Sequence, residues 1–429
     1  MNTPAGLYIH IPFCKSKCPY CHFYSTVPWG VEGDADTGTA IAKPIEESVD
    51  GPTKAAAVGV AVADAKAHPG AAARAGTDKA DTAVGVARFI DALEREMRGY
   101  RHLFAAFDTI YIGGGTPSLL TIADLDRILA AARRHFTVAG DAETTVEVNP
   151  ADGDAAWFSD LRALGVTRVH LGAQSFSPAA LQFLGRRHTV RDVYEAAARI
   201  RGAGFDNFGL DLIWGLPGQT IAEWRRDLAA ALSLAPAHLS AYQLSAEPGT
   251  PLRRRLRRGE FALPDEEAAR EFFLATDEFL RHAGFLHYEI SSYARHPETV
   301  SRHNGKYWRH IAYLGLGPSA HSFQDGRRWW NRRNLDEYLT ILEAGGLPVA
   351  ASETLGHDEL RLETLFLGLR TAAGIDLNAF RRRFGEELRE TRQGLLAALI
   401  TDTLNALDGD RLRPTPRGMA VADGLSVLL

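Results

Sequence analysis

All three cysteines of this chain lie in one short stretch, at Cys14, Cys18 and Cys21. An odd number of thiols in one stretch excludes a closed disulfide framework. Thiolates spaced C-x-x-x-C-x-x-C can surround one metal centre. Three thiolates in place of the usual four would leave one iron of a cubane iron–sulfur cluster open to a substrate or cofactor. The alternative is a structural zinc site with His10 or His22 as the fourth ligand, and the spacing alone leaves both open.

Polar and glycine motifs follow further along the chain, each directly after an apolar run. They read Gly-Gly-Gly-Thr-Pro-Ser at 113–118, Glu-Val-Asn-Pro at 147–150, Gly-Ala-Gln-Ser-Phe at 172–176 and Asp-Leu-Ile-Trp-Gly-Leu-Pro-Gly at 211–218. Consecutive glycines let a backbone approach a ligand with no Cβ in the way. Any one motif is typical of a turn or a cap. The series, at the same end of successive strands, indicates a cofactor site that faces the cysteine loop.

Short β-like runs alternate with helical periods through most of the chain. The predicted strands are 6–13, 109–113, 144–148, 168–173, 208–214 and 238–244, and the predicted helices include 88–104, 122–135, 190–201 and 221–234. Repeated βα units predict a parallel sheet with helices outside it. Six units are too few for a closed eight-unit barrel, so we expect an open, partial (β/α)6 barrel of the TIM type. Such barrels place their chemistry at the carboxyl ends of the strands.

The cysteine stretch resembles the cluster loop of radical S-adenosylmethionine (SAM) proteins, and the wording around it, Tyr-Ile-His-Ile-Pro-Phe-Cys, resembles the branch of the oxygen-independent coproporphyrinogen III oxidases. The resemblance implies that Cys14, Cys18 and Cys21 hold a [4Fe–4S] cluster. It also implies a set of SAM contacts: Tyr8, Tyr20, Gly114, Gly115, Thr116, Glu147, Gln174, Arg186 and Asp211. An arginine suits the methionine carboxylate, and carboxylates suit the ammonium group or ribose hydroxyls.

One position separates two functions within this branch. The oxidases have a fourth cysteine two residues past the third, where this chain has Phe23. The resemblance therefore favours the haem chaperones of the branch, which would bind haem and pass it to a respiratory haem protein. The alternative is an oxidase that decarboxylates coproporphyrinogen III in haem synthesis. An electron donor is implied if SAM is cleaved; SAM cleavage, turnover of a substrate and homodimer formation are left open.

A second set of motifs, at 287–291, 301–308 and 314–323, resembles the haem-chaperone pattern. Its His-Asn-x-x-Tyr-Trp element points to His303 as the haem ligand, because a histidine beside large aromatics can supply an axial nitrogen and an apolar wall. The alternative is that His303 and His321 are hydrogen-bonded histidines of the fold.

Composition bounds the remaining possibilities. The net charge of −5 gives no electrostatic footprint for nucleic acid, and the arginine runs at 253–258 and 381–383 are typical of solvated helix faces. No leader and no membrane-spanning run is visible, so we expect a cytoplasmic protein whose thiols stay reduced.

Four regions follow from these patterns. Residues 1–26 form the first strand and the cluster loop, and 27–84 form an insertion rich in Ala, Gly and Asp. This insertion has too little bulky apolar surface to offset its ordering entropy, which predicts a flexible linker. Residues 85–335 complete the barrel and its extension. Residues 336–429 form a small, mainly helical C-terminal domain, with a winged helix as one interpretation.

Overall fold

The computed structural model describes residues 3–27 and 79–429. The predicted insertion at 27–84 lies outside the described residues except at its two ends. Helix α1 (Lys79–Tyr100) starts at the second of these ends, so it begins and finishes earlier than the predicted helix at 88–104.

The six predicted strands are confirmed, in a sheet with parallel pairing from β1 to β6. Their bounds are β1 (Ala5–Ile11), β2 (Phe107–Gly114), β3 (Val138–Val148), β4 (Arg168–Gln174), β5 (Phe208–Trp214) and β6 (His238–Gln243). Because the strands are parallel, their carboxyl ends all meet at one rim of the partial barrel.

The helices between these strands cover the outside of the sheet. They are α2 (Ile122–His135), α3 (Ala155–Ala163), α4 (Pro178–Phe183), α5 (Val190–Gly202) and α6 (Ile221–Ser233). Three of them begin with a capping box, in which Thr121, Thr189 or Thr220 exchanges hydrogen bonds with an acidic residue at the third helical position. Each box satisfies backbone donors that the first turn leaves open, and so fixes where the helix starts.

The sheet continues beyond the six predicted units to twelve strands. It gains, at one edge, β7 (Leu286–Glu289) and β8 (Ser292–Ala294), and at the other β9 (Tyr313–Leu316), β10 (His321–Gln324), β11 (Arg327–Asn331) and β12 (Val349–Thr354). Strand β9 runs parallel to β1 and pairs directly with it. The accompanying helices are α7 (Pro251–Arg257), α8 (Glu266–His282), α9 (Asn304–Tyr307) and α10 (Leu335–Glu343).

Alternation along the strands separates two kinds of surface. In β1, Leu7, Ile9 and Ile11 are fully buried in the main hydrophobic core. The intervening Tyr8 lies 6.1 Å, ring to ring, from Tyr111 of β2. Since alternate side chains of a strand point to opposite faces, one face of the sheet is apolar and packs on the helices. The other face carries the polar side chains of the barrel interior.

The C-terminal unit contains α11 (His357–Gly368), α12 (Leu377–Phe384), α13 (Leu388–Thr391), α14 (Gln393–Thr401), α15 (Pro416–Met419) and α16 (Ala422–Leu428). A three-stranded antiparallel sheet joins them, formed by β13 (Ile375–Asp376), β14 (Asn405–Asp408) and β15 (Arg411–Pro414). Residues 336–354, which the sequence assigned to this domain, instead pack on the first unit: α10 lies in the main core and β12 pairs with β11. Among the described residues, none of the helices combines the length and the apolar character needed to cross a bilayer.

Candidate functional site

The cysteine loop begins directly after β1 and closes on itself through backbone hydrogen bonds. Cys14 N donates to Thr26 O at 2.9 Å, and Thr26 N donates to Pro12 O at 2.7 Å. Phe13, between these bonds, is fully buried. The loop is therefore anchored at both ends, which holds its cysteines at the rim of the barrel.

The three thiols line one cavity of about 470 Å³, counting its open mouth. Its wall also contains Tyr20, Gly115, Thr116, Asn149, Arg186 and Arg187. Within residues 3–27 and 79–429, no three His, Cys, Asp or Glu side chains converge closely enough to hold a single ion. A cubane cluster differs in that each thiolate binds its own iron, so thiols spread around a cavity suit it.

The protonation of the thiols follows from their partial burial. Burial raises the pKa of Cys14, and it raises the pKa of Cys21 to about 11. Both thiols are therefore protonated at neutral pH in the metal-free protein. Metal binding must displace these protons, since the thiolate is the ligand.

The glycine motif at the end of β2 packs against the cysteine loop. Gly115 N donates to Ile11 O at 2.7 Å, and a Cβ on Gly115 would lie 2.6 Å from Phe13 O. Thr116 continues the contact, because its Oγ1 donates to Cys14 Sγ at 3.4 Å. Only glycine allows this approach, and it brings the backbone of the motif to the edge of the cysteine cavity.

Arg186 reaches the same cavity from the segment after α4. Its Nη1 is 3.5 Å from both Cys18 Sγ and the Tyr20 hydroxyl, and its Nη2 donates to Gly172 O at 3.2 Å. The Nε of Arg186 is buried without a hydrogen-bond partner among the described residues. A buried donor left unpaired beside three thiols is suited to an anionic group such as a carboxylate.

Glu147, at the end of β3, accepts hydrogen bonds from two groups of β2. The Tyr111 hydroxyl donates to Oε1 at 2.8 Å and Gly114 N donates to Oε2 at 3.1 Å. Burial raises the pKa of Glu147 to about 7, and the nearby Asp211 also raises it, whereas the two hydrogen bonds act in the opposite direction. Glu147 therefore exchanges its proton near neutral pH, and a cationic ligand would favour its charged form.

Asp211 of β5 is oriented by a chain of two side chains. Arg168 Nε donates to His170 Nε2 at 3.1 Å, so His170 carries its proton on Nδ1 and donates to Asp211 Oδ1 at 3.2 Å. Gly209 makes room for this arrangement, because a Cβ there would lie 2.8 Å from the His170 ring. The second oxygen of Asp211 remains available to a ligand.

The remaining two candidate residues lie on β1 and β4. The Tyr8 hydroxyl is 3.0 Å from His10 Nδ1, and His10 Nε2 is 2.8 Å from Tyr24 O. Both nitrogens of His10 are thus used inside the fold, so the zinc alternative would have to take His22 as its fourth ligand. Gln174 has a φ of 67°, a left-handed conformation that is strained for a residue with a Cβ and is often found at functional sites.

His303 is embedded in the barrel interior rather than at its rim. It is 1% exposed, its Nδ1 is 2.9 Å from Thr109 Oγ1 and its Nε2 is 2.8 Å from the Tyr307 hydroxyl. Burial lowers its pKa to about 3, so the ring is neutral. This geometry matches the alternative interpretation, in which His303 is a hydrogen-bonded histidine of the fold. An axial role would require Nε2 to leave Tyr307.

Sequence reasoning missed Tyr111 and His170, which orient Glu147 and Asp211. It also missed Asp152, whose partners Lys15, Ser118 and Arg187 are sequence neighbours of candidate residues. Tyr111 and His170 each interrupt an apolar strand run as a polar residue between two large apolar ones. That alternation was a usable signal for an inward-facing side chain. Asp152 lies in a loop, and its neighbours in the sequence carry no comparable signal.

Comparisons with known proteins agree with this geometry. The Radical SAM superfamily profile matches residues 8–231, and the HemN C-terminal domain profile matches residues 355–421. The heme chaperone HemW of Mycobacterium tuberculosis is 35% identical over 99% of this chain and 94% of its own length. The heme chaperone HemW of Escherichia coli is 36% identical over 76% of this chain and 72% of its own length.

Among solved structures, coproporphyrinogen III oxidase (HemN) of Escherichia coli superposes with a TM-score of 0.74 at 21% identity, over 99% of this chain and 90% of that chain. At this identity the likeness shows the fold. The profile match, the anchored three-cysteine loop and the full-length similarity to the heme chaperones lead to one assignment: the chain belongs to the radical SAM superfamily and, within it, to the HemW family of the oxygen-independent coproporphyrinogen III oxidase-like proteins.

Proposed function

We propose that this protein is a haem chaperone that holds a [4Fe–4S] cluster and SAM, binds haem, and transfers it to a respiratory haem protein. Membership of the radical SAM superfamily implies the cluster and SAM. The names of the relatives suggest haem. The observation that carries the proposal is the single cavity into which the three cysteines, the glycine motif and Arg186 all project.

The donor set of this cavity fits the cluster and SAM. Cys14, Cys18 and Cys21 would hold the cluster, which would offer an open iron to SAM and, once reduced by an electron donor, would supply one electron for cleavage of the sulfonium if SAM is cleaved. Arg186, with its unpaired Nε, would hold the methionine carboxylate. The backbone of Gly114 and Gly115 would lie along the amino-acid end of SAM.

The other candidate contacts would fix the rest of SAM. Glu147 would accept hydrogen bonds from the ammonium group, and Asp211, oriented by His170, from the ribose hydroxyls. Thr116, Gln174, Tyr8 and Tyr20 would complete the wall, as the family resemblance implies.

His303 is the haem ligand in this proposal. Its ring lies 5.1 Å from Tyr111 and 6.4 Å from Tyr8, centroid to centroid. Haem coordination by Nε2 would therefore occur next to the residues that orient SAM. Coordination would separate Nε2 from the Tyr307 hydroxyl, and leaving that hydroxyl without a partner inside the barrel costs about 1–3 kcal/mol.

Haem titration of the cluster-reconstituted protein tests the function directly. We expect the absorbance of the bound form to saturate at a fixed ratio of haem to chain. Non-saturable binding, together with formation of vinyl groups from coproporphyrinogen III under anaerobic reducing conditions, would contradict the proposal and support the oxidase.

A pair of matched variants locates the ligand. His303→Gln removes the predicted axial nitrogen. His238→Gln changes another buried barrel histidine, whose Nε2 is 2.7 Å from the Tyr288 hydroxyl. We expect weaker haem binding and an altered haem spectrum only for His303→Gln, with both variants checked for folding by thermal unfolding. Equal binding by both variants would show that His303 is a residue of the fold.

A further inference from the structure

Asp152 is a buried carboxylate that contacts three segments around the cysteine cavity. Its side chain is 4% exposed. Lys15 Nζ donates to Oδ1 at 3.1 Å, Ser118 Oγ donates to Oδ2 at 3.1 Å, and Arg187 Nη2 is 3.3 Å from both oxygens. One carboxylate thus pairs with two cations and accepts a hydrogen bond from one hydroxyl.

Each of the three partners is a close neighbour of a candidate cofactor residue. Lys15 lies between the first two cysteines, and Arg187 follows Arg186 directly. Ser118 belongs to the same motif as Gly115 and Thr116. A displacement of any partner would therefore move a group that faces the cavity.

The loop that carries Asp152 is itself fixed. Asp152 N donates to Asn149 O at 2.9 Å, and Asn149 N donates to Ser118 Oγ at 3.1 Å. Ser118 is 7% exposed, so the carboxylate end of this network is shielded from water, whereas the side chains of Lys15 and Arg187 reach solvent. Charge-assisted hydrogen bonds to a shielded carboxylate are shorter and stronger than neutral ones.

We propose that Asp152 is a positioning residue that fixes the cysteine loop against the glycine motif and the segment bearing Arg186. It holds the three thiols in a cluster-ready arrangement before metal binds, and it retains the loop afterwards. This role rests on the proposed function only in that the three cysteines are taken to hold the cluster.

The first test measures the cluster-free protein, so it does not depend on cofactor loading. Amide hydrogen exchange should quicken in the cysteine loop of Asp152→Asn, above all at Cys14 and Cys21, whose amides donate to Thr26 O and Cys18 O. Asp154→Asn is the matched control, since it removes the same charge two residues away. Asp154 only caps α3, accepting from Trp157 N at 2.8 Å.

The second test measures how fast the reconstituted protein loses iron to a chelator. We expect release about three- to tenfold faster in Asp152→Asn than in the parent or in Asp154→Asn, because the carboxylate loses its charge-assisted contacts to two partly exposed cations. Asp152→Glu should recover part of the difference. Lys15→Met should act in the same direction with a smaller effect, which should not add fully to that of Asp152→Asn, because both changes remove the Lys15–Asp152 contact.

The outcomes separate clearly. If the Asp152→Asn variant shows the same amide exchange in the cysteine loop and the same rate of iron release as the Asp154→Asn variant, the proposal is wrong. If the Asp152→Asn variant fails to fold, the Lys15→Met variant is used instead, because the Lys15 side chain is 47% exposed and its replacement should leave the fold intact. Unchanged amide exchange and iron release in that variant would overturn the proposal. A parent that takes up iron but no haem would contradict the proposed function and leave the role of Asp152 intact.

Discussion

At the scale of single residues, the candidate site combines groups whose charge depends on what is bound. Burial keeps the thiols of Cys14 and Cys21 protonated and raises the pKa of Glu147 to about 7. Arg186 supplies a fixed positive charge beside Cys18. A site of this kind becomes fully charged only when its cofactors arrive, which couples their binding to proton release.

Glu147 makes this coupling measurable. Only its carboxylate form can accept hydrogen bonds from an ammonium group with both oxygens. We therefore expect the affinity of the cluster-loaded protein for SAM to rise by up to about tenfold between pH 6 and pH 8, as the carboxyl group loses its proton. Calorimetric titration at several pH values measures this rise. Glu147→Gln should bind SAM more weakly and with a flat pH profile, and a parent-like slope in that variant would place the titrating group elsewhere.

At the scale of elements, one buried glutamate joins four segments behind the cysteine loop. Glu96 of α1 is fully buried and accepts hydrogen bonds from Tyr338 of α10 at 2.6 Å, Asn331 of β11 at 2.5 Å and Gly317 N at 2.9 Å. Gly317 in turn lies against β1, since a Cβ on it would be 2.5 Å from His10 O. Glu96 of α1 therefore holds Gly317 in place, and Gly317 in turn packs against β1, the strand that leads into the cysteine loop.

The titration of Glu96 predicts a pH dependence of stability. Burial raises its pKa from 4.5 to about 7. Because the folded pKa lies above the unfolded one, the folded state binds the proton more tightly. The contribution to stability is then complete below pH 4.5 and is lost as the pH rises through 7. We expect the free energy of unfolding to fall by up to about 3 kcal/mol across this window on account of Glu96.

Urea unfolding of the parent and of Glu96→Gln at pH 5, 6, 7 and 8 isolates this effect. The glutamine variant should lose this part of the slope, although its absolute stability is lower because Gln cannot accept every hydrogen bond. Parallel slopes for the two proteins would show that Glu96 keeps the same charge in both the folded and the unfolded state.

At the scale of the whole molecule, the C-terminal unit is attached by a few specific contacts. Glu363 of α11 accepts from Arg328 Nη2 of β11 with both oxygens, at 3.1 and 2.9 Å, and lies 3.0 Å from His310 Nε2. On the other side, Ile290 N donates to Arg370 O at 3.0 Å. Side-chain charge pairs and a short backbone pairing thus join the two units.

Removing the charge of Glu363 tests this attachment. Burial alone would raise its pKa, but the hydrogen bond from His310 and the charge of Arg328 outweigh burial and lower it. Its stabilising effect is therefore present above the unfolded pKa and is lost as the pH falls through the folded pKa. We expect Glu363→Gln to lower the free energy of unfolding by about 1–2 kcal/mol at pH 7.

The same variant should be cut faster by thermolysin between α10 and α11, where Leu347 and Leu355 offer cleavage sites, because the C-terminal unit separates more often. Glu353→Gln is the control, since Glu353 is more exposed and contacts only one nitrogen of Arg328. Equal cleavage of the two variants would mean that the apolar and backbone contacts suffice to hold the unit in place.

The sequence by itself determined the parts of this protein that depend on local order along the chain. The alternation of βα units predicted the parallel sheet, with strand bounds close to those observed except in β3, which begins at Val138 instead of Thr144. The spacing of the cysteines placed three thiols in one loop. The strand-end motifs followed because parallel strands bring their carboxyl ends to one rim. Each of these conclusions needs only neighbours in the sequence.

Contacts between distant segments were decided by the tertiary structure alone. Strand β9 pairs with β1, α10 and β12 join the first unit, and Asp152 meets Lys15 from far along the chain. His303 belongs to the same class, because only the fold shows Thr109 and Tyr307 at its two nitrogens. The local pattern of apolar residues in the sequence predicts which face of a helix or strand is buried. Which buried polar groups find each other depends on how the elements pack, and the cost of leaving such groups unpaired then fixes that arrangement.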